Sequence, residues 1–394
     1  MNERVSSGLG KVYETVEPFL RFFGESEWVE RGHDADAADF VAGNPQEMPI
    51  PEFAQALHKA VDPQSKEWFA YTLSNPDARG IVSASLREST GMPFEEADIS
   101  MTNGNFGGLF VTMRASCDPG DEVIFLSPPW FFYEGMITSL GLTPVRVKMQ
   151  APRFDIPFEA IEAAITPKTK AIILNTPHNP SGRVFPPADL ERFAGILADA
   201  SAKNGRPIML LSDEAYCRIL YDGNFHTTPS RFYPNTFLIY TYGKQLLTPG
   251  QRMGFIALPP TMENRQEIRD SLMLSQVVSG WVFPNAVMQY ALGDLEPLSI
   301  DLVNLQKKRD RLVEGLRGAG YAVESPEGTF YLLPKVPGDS EQAFLDRLAR
   351  DKVFVLPGSI VELPGYVRLS NTASDEMIDR AMPVFEAAYK ELSG

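Results

Sequence analysis

The stretch FLIYTYGKQLLTPGQRMGFIAL, Phe237–Leu258, joins two short apolar runs through a polar turn. Phe237–Tyr240 and Phe255–Leu258 are continuous rather than alternating in hydrophobicity, the pattern of strands covered on both faces. Between them stand Lys244 and, eight positions on, Arg252, with Gly250 and Gly254 flanking the arginine. A lysine on a small-residue turn after a buried strand can form an imine with an aldehyde, because burial lowers its pKa and frees a nucleophilic amine. An arginine one loop away can clamp a phosphate with its planar fork. The plainer alternative is a surface lysine and arginine on an ordinary hairpin.

Upstream, the same apolar style recurs at Glu122–Leu126, Pro144–Lys148, Ala171–Leu174 and Ile208–Leu211, with helical stretches between. Asp189–Ala200 places Leu190, Phe193, Ile196 and Leu197 on one face. Strands alternating with helices predict an α/β fold with a mainly parallel sheet flanked by helices. Beyond Leu295 the helices lengthen: Leu302, Leu305, Leu312, Val313 and Leu316 share a face. Ser374 reads as an N-cap before Ile378, Ala381, Phe385, Ala388 and Leu392, and Pro383 inside that pattern predicts a kink or a late start. The division expected is a large α/β domain over 51–294, and a smaller α+β domain built from 1–50 and 295–394.

Four further segments carry candidate chemistry. In LLSDEAYCRILYDG, Leu210–Gly223, Asp213 falls where a buried strand meets its loop. A buried carboxylate needs a cationic partner, and a protonated pyridine nitrogen is one. Asp213 can equally cap the next helix. Tyr216 is placed to donate to a cofactor phenolate oxygen. In NTPHNPSGR, Asn175–Arg183, Asn179 could reach the same oxygen, or the segment is simply a turn, which is also the plainer account of His178. In MTNGNFGGLF, Met101–Phe110, a glycine-rich turn enters a helix and offers the amides of Asn105 and Phe106 to a phosphate, unless the glycines serve close packing. In SPPWFFYEG, Ser127–Gly135, Trp130 is either a ring-stacking platform or a core tryptophan. Aldehyde, phosphate and pyridine nitrogen together describe pyridoxal 5'-phosphate (PLP).

Composition narrows the classes. The 394 residues are 44% hydrophobic, enough for a large core, and carry 36 Lys and Arg against 51 Asp and Glu, a formal charge of -15. An acidic chain without a basic cluster is a poor nucleic-acid binder and is repelled by anionic membranes. Cys117 and Cys217 are isolated and His33, His58, His178 and His226 scattered, so neither a disulfide framework nor a metal site is expected. The start, MNERVSSGLG, lacks the blocks of a signal peptide, and no apolar run approaches a membrane span. A cytoplasmic location is expected.

In order and together, these segments resemble the class I/II aminotransferases of PLP fold type I over nearly the whole chain. The resemblance rests on Gly43-Asn44-Pro45, Tyr71 ahead of Gly80, Gly104-Asn105-Phe106, Trp130, Asn179-Pro180-Ser181-Gly182, Asp213-Glu214-Ala215-Tyr216, Thr241-Tyr242-Gly243-Lys244 with Gly250-Gln251-Arg252, and Arg368-Leu369-Ser370. It implies that Lys244 is the Schiff-base lysine and proton shuttle, that Asp213 pairs with the ring nitrogen, and that Asn179 and Tyr216 bind the phenolate oxygen. It implies that Trp130 stacks on the ring, that Asn105, Phe106, Thr241 and Arg252 hold the phosphate, and that Tyr71 reaches in from the partner of a homodimer. Gly43 and Arg368 would bind the substrate carboxylate, with Trp130 and Asn179 beside it.

Two departures stand out. Gly243 replaces the small hydroxyl residue that often precedes the lysine, which would cost one phosphate contact. Phe106 falls where some dicarboxylate-specific relatives carry a base, and Gly280–Asn285 (GWVFPN) is uncharged. The activity implied is therefore amino transfer between an L-amino acid, aromatic or aliphatic in preference to aspartate, and a 2-oxo acid. A PLP-dependent β-lyase or cyclising synthase is the alternative on the same scaffold. A non-enzymatic sensor domain is more remote, since the acidic balance argues against an attached DNA-binding unit.

Overall fold

The computed structural model describes residues 6–393; Met1–Val5, half of the stretch read above for a leader, lie outside it. Seven strands form the central sheet: β1 (Ile99–Thr102), β2 (Glu122–Ser127), β3 (Thr143–Lys148), β4 (Thr169–Asn175), β5 (Met209–Asp213), β6 (Thr236–Thr241) and β7 (Gly254–Ala257). Their order is β1-β7-β6-β5-β4-β2-β3. β2 through β6 run parallel, and β7 is antiparallel to both its neighbours. The six strands expected from the sequence are all present. β1 escaped notice because the polar Ser100 and Thr102 break its apolar run.

The continuous hydrophobicity of these strands has a direct cause. Val123 and Phe125 of β2 pack into one core with Ala171, Ile173 and Leu211, while Ile124 and Leu126 pack into another with Ile172, Leu174 and Leu210. Successive side chains point to opposite faces, so both faces must be apolar when helices cover both. One cover is α1 (Gly104–Ser116), through Leu109, Val111 and Met113. The other is α2 (Pro187–Asn204), through Leu190, Phe193 and Leu197.

A smaller antiparallel sheet of β8 (Tyr331–Leu332), β9 (Leu356–Pro357) and β10 (Val367–Ser370) has the order β9-β10-β8. It shares its core with the helices Leu302–Ala319 and Asp375–Leu392. The last helix starts directly after Ser374, whose side chain accepts from the Met377 amide, and runs through Pro383. The late start allowed for above does not occur. Pro383 removes one helical hydrogen bond, but Ile378, Ala381, Phe385 and Ala388 are buried along one face and hold the helix in place.

The sequence reading missed the helix Ser7–Glu25, which also carries an internal proline, Pro18. Val12 and Val16 approach Gly135, and Phe19 and Phe23 lie against one another at 4.3 Å between ring centroids. That spacing is helical, and it brings an N-terminal segment over the mouth of the central sheet. No helix among the described residues is long and apolar enough to cross a membrane.

Candidate active site

The carboxyl ends of β2, β4, β5 and β6 open onto a cavity of about 270 Å³. Loops leaving parallel strands diverge there, which makes this edge the usual ligand site of such sheets. Its charged lining residues are Lys244, Arg252, Arg368 and Asp213, three cations against one carboxylate. In a chain of net charge -15 that local excess of positive charge selects anionic ligands.

Lys244 rides on a single helical turn, Tyr242–Gln245, that begins where β6 ends. Thr241 caps the turn by accepting from the Gly243 amide at 3.4 Å. The chain then doubles back, so a Cβ on Gly243 would lie 3.2 Å from Cα of Pro249. The glycine before the lysine follows from this close return. Lys244 Nζ stands 5.5 Å from the ring centroids of both Tyr216 and Phe330.

Two more glycines bring Arg252 to the start of α1. Gly104 has φ +78°, and a Cβ there would fall 2.8 Å from Arg252 Nη2 and 3.4 Å from Thr241 Oγ1. A Cβ on Gly254 would strike the Tyr240 carbonyl at 2.2 Å. Arg252 Nη1 donates to the Pro249 carbonyl at 2.6 Å. Burial holds its pKa below the usual arginine range. A solvent-accessible but partly desolvated guanidinium beside helix N-terminal amides is a fitted anion cradle.

Asp213 ends β5 and is 4% exposed. Its Oδ1 accepts from Asn105 Nδ2 at 2.6 Å and from the Ala215 amide at 3.3 Å, and its Oδ2 accepts from the Tyr133 hydroxyl at 2.5 Å. Burial raises its pKa, against the lowering effect of Tyr133, Ala215, Asn105 and the Lys244 charge. The donors are neutral and Lys244 is not in hydrogen-bond contact, so a cation brought by a ligand would complete the pairing. Asn175 donates from Nδ2 to the Asp213 carbonyl at 2.9 Å and accepts the Asn179 amide at 2.6 Å, tying two candidate residues to one strand end.

On the opposite wall, Arg368 donates to Asn179 Oδ1 and to the Val41 carbonyl, each at 3.2 Å, while its Nε has no partner among the described residues. Gly43 closes against this wall: a Cβ there would come within 2.2 Å of the Phe330 ring and 2.7 Å of the Tyr331 hydroxyl. The remaining wall is aromatic. Phe106 and Trp130 meet edge to face at 5.1 Å, and Phe23 and Phe131 complete the lining.

Of the residues singled out in the sequence, Gly43, Asn105, Phe106, Trp130, Asn179, Asp213, Tyr216, Thr241, Lys244, Arg252 and Arg368 line this one cavity. Tyr71 does not. It is 89% exposed, with its ring against Phe283 at 4.9 Å between centroids. The side chain of Asn105 is engaged by Asp213, which leaves only its backbone for a phosphate. His178 is buried, bonds Ser181 Oγ at 2.7 Å through Nδ1, and has its pKa pulled down by burial to about 4, so it is a neutral part of the turn.

Phe23, Phe131, Tyr133, Asn175 and Tyr331 were missed. Tyr133 lies three residues after Trp130 and Asn175 closes a strand, so both had positional signals. Phe23 and Tyr331 reach the cavity only through packing of distant segments.

A sequence profile described as aminotransferase class I and II matches residues 35–385. An aspartate/prephenate aminotransferase of Thermus thermophilus is 29% identical over 395 residues, covering 96% of this chain and 98% of that one. An aspartate aminotransferase of Thermotoga maritima is 32% identical over 367 residues, covering 89% and 91%. An amino transferase structure from Eubacterium rectale superposes with a TM-score of 0.87 at 27% identity, covering 100% and 99%. With a seven-stranded sheet of this topology and a profile match across most of its length, the chain belongs to the class I and II aminotransferases, transferases of nitrogenous groups with the α/β architecture of fold type I.

Proposed function

We propose that this enzyme uses PLP to move an amino group between an L-amino acid with an apolar side chain and a 2-oxo acid. The observation that carries the reading is the meeting of the Lys244 amine, the buried Asp213 carboxylate and the uncompensated Arg252 in one cavity. The donor set fits the cofactor at three points: an amine for the aldehyde, a carboxylate for the ring nitrogen, and an arginine beside a helix N-terminus for the phosphate. When bound, PLP supplies an electron-withdrawing ring that makes the substrate α-proton acidic.

The chain's own residues do the rest. Lys244 is the attachment point and, once displaced, carries the α-proton on Nζ. Asp213 keeps a positive charge on the ring nitrogen. Tyr216 and Asn179 donate toward the phenolate oxygen, and Trp130 covers the ring. Thr241, Arg252 and the amides of Asn105 and Phe106 hold the phosphate. Arg368, with Gly43 beneath it, aligns the substrate carboxylate.

The side-chain preference rests on the wall formed by Phe23, Phe106, Trp130 and Phe131, where no charged group among the described residues remains to pair with a distal carboxylate. The named relatives use aspartate, so the panel that tests this must include it. We read the protein as a cytoplasmic homodimer, divided into 51–294 and 1–50 with 295–394. The dimer face is the helix Arg265–Ser279, which exposes Met273, Leu274, Val277 and Val278 and leads into Trp281, 3.7 Å from a Cβ on Gly107. Tyr71, exposed on its own chain, would enter the neighbour's cavity.

Adding PLP to the protein should give a visible absorbance band that Lys244→Ala lacks; its absence from the wild type would remove the cofactor assignment. Amino donors assayed with 2-oxoglutarate and pyruvate should yield keto acid only when the acceptor is present, with aromatic or aliphatic donors ahead of aspartate. Ammonia and pyruvate released without an acceptor would point to a lyase instead.

A further inference from the structure

β8 and β10 are antiparallel, with Tyr331 opposite Ser370 and Leu332 opposite Leu369. Residues two apart on a strand share a face, so Tyr331 is the diagonal neighbour of Arg368. The Arg368 guanidinium carbon lies 4.0 Å from the centroid of the Tyr331 ring. Tyr331 is buried, lines the cavity, and packs edge to face on Tyr216 at 6.0 Å between centroids.

We propose that Tyr331 is a positioning residue for amino transfer: its ring sets the plane of the Arg368 guanidinium, the group that aligns the substrate carboxylate. This rests on the aminotransferase reading above. Arg368 has no carboxylate among the described residues to fix it, only two hydrogen bonds of 3.2 Å and an unpartnered Nε. The aromatic face below it is therefore its closest planar restraint, and such contacts are strongest where water is excluded.

The two phenols are not equivalent. Burial pushes Tyr331 up, but the neighbouring charges of Arg368 and Lys244, foremost among the groups that oppose it, leave Tyr331 below the ordinary tyrosine range. Burial and the neighbouring Tyr331 push Tyr216 well above that range, Arg368 opposing and Asp213 reinforcing the shift.

The test separates ring from hydroxyl. Tyr331→Leu should raise KM for the amino donor about 10-fold with kcat changed less than about 3-fold, and weaken calorimetric binding of hydrocinnamate about equally. Tyr331→Phe, which keeps the ring face under Arg368, should restore that affinity and the wild-type KM. Unchanged hydrocinnamate binding in Tyr331→Leu, or a Tyr331→Phe variant as weak as the leucine one, would overturn the proposal. Should the leucine variant fail to fold, Tyr331→Met takes its place in the same comparison. A wild type without transaminase activity sinks the functional reading, whereas the hydrocinnamate comparison still judges Tyr331.

Discussion

Tyr133 donates to Oδ2 of Asp213 across 2.5 Å, joining the start of the helix Tyr133–Ser139 to the end of β5, 80 residues apart in the chain. The bond opposes the effect of burial, which pushes the Asp213 carboxyl up. Removing it in Tyr133→Phe leaves Asp213 less able to stay ionised. A hydrogen bond to a charged group contributes about 1.5–3 kcal/mol. The variant should bind PLP roughly 10- to 100-fold more weakly, read by fluorescence titration of the cofactor-free protein.

Phe106 begins the aromatic wall at the first turn of α1. Placing a cation there supplies the charge that the cavity lacks for a distal carboxylate. Phe106→Lys should raise kcat/KM for aspartate about 10-fold and lower it for phenylalanine by a similar factor, the size of one partly exposed ion pair and one lost apolar contact. Steady-state kinetics on the two donors checks both directions. A parallel loss on both donors would detach Phe106 from specificity.

Tyr71 stands outside its own cavity, so a shared site predicts complementation. Lys244→Ala and Tyr71→Ala should each be strongly impaired. Mixed and refolded in equal amounts, half the dimers are hybrids, and each hybrid holds one intact site. Activity should return to about a quarter of wild type. No recovery, with a monomer seen by sedimentation, would mean that Tyr71 acts elsewhere.

His178 couples the site's scaffold to pH. Burial lowers its pKa from 6.5 to about 4, while a hydrogen bond with the Pro128 backbone acts in the other direction. A depressed folded value means stability that is present above the unfolded pKa and lost as pH falls toward the folded one. Between pH 6.5 and pH 4 the wild type should lose up to about 3 kcal/mol from this group. Denaturant melts of His178→Asn across that window should show a shallower acid slope. Identical slopes would place the acid sensitivity in other groups.

Much of this protein was legible in one dimension. Continuous apolar runs such as Ala171–Leu174 named the buried strands because both faces of the sheet are covered. Glycine, asparagine and aspartate at strand ends marked the loops that converge, and the turn between Phe237–Tyr240 and Phe255–Leu258 carries both Lys244 and Arg252 into one cavity. Local periodicity and turn chemistry act over a few residues, which is why they can be read in order.

The tertiary structure decided what those rules cannot reach. Asn105 and Tyr133 became partners of Asp213, although the sequence places them 108 and 80 residues away. Phe23 entered the cavity on a helix that the internal Pro18 concealed, and Tyr331 met Arg368 through the register of two short strands. Pro383 stayed inside a helix because a buried face outweighed one lost hydrogen bond. In each case the deciding energy is burial and pairing between segments far apart in the chain, which exists only once the sheet has brought them together.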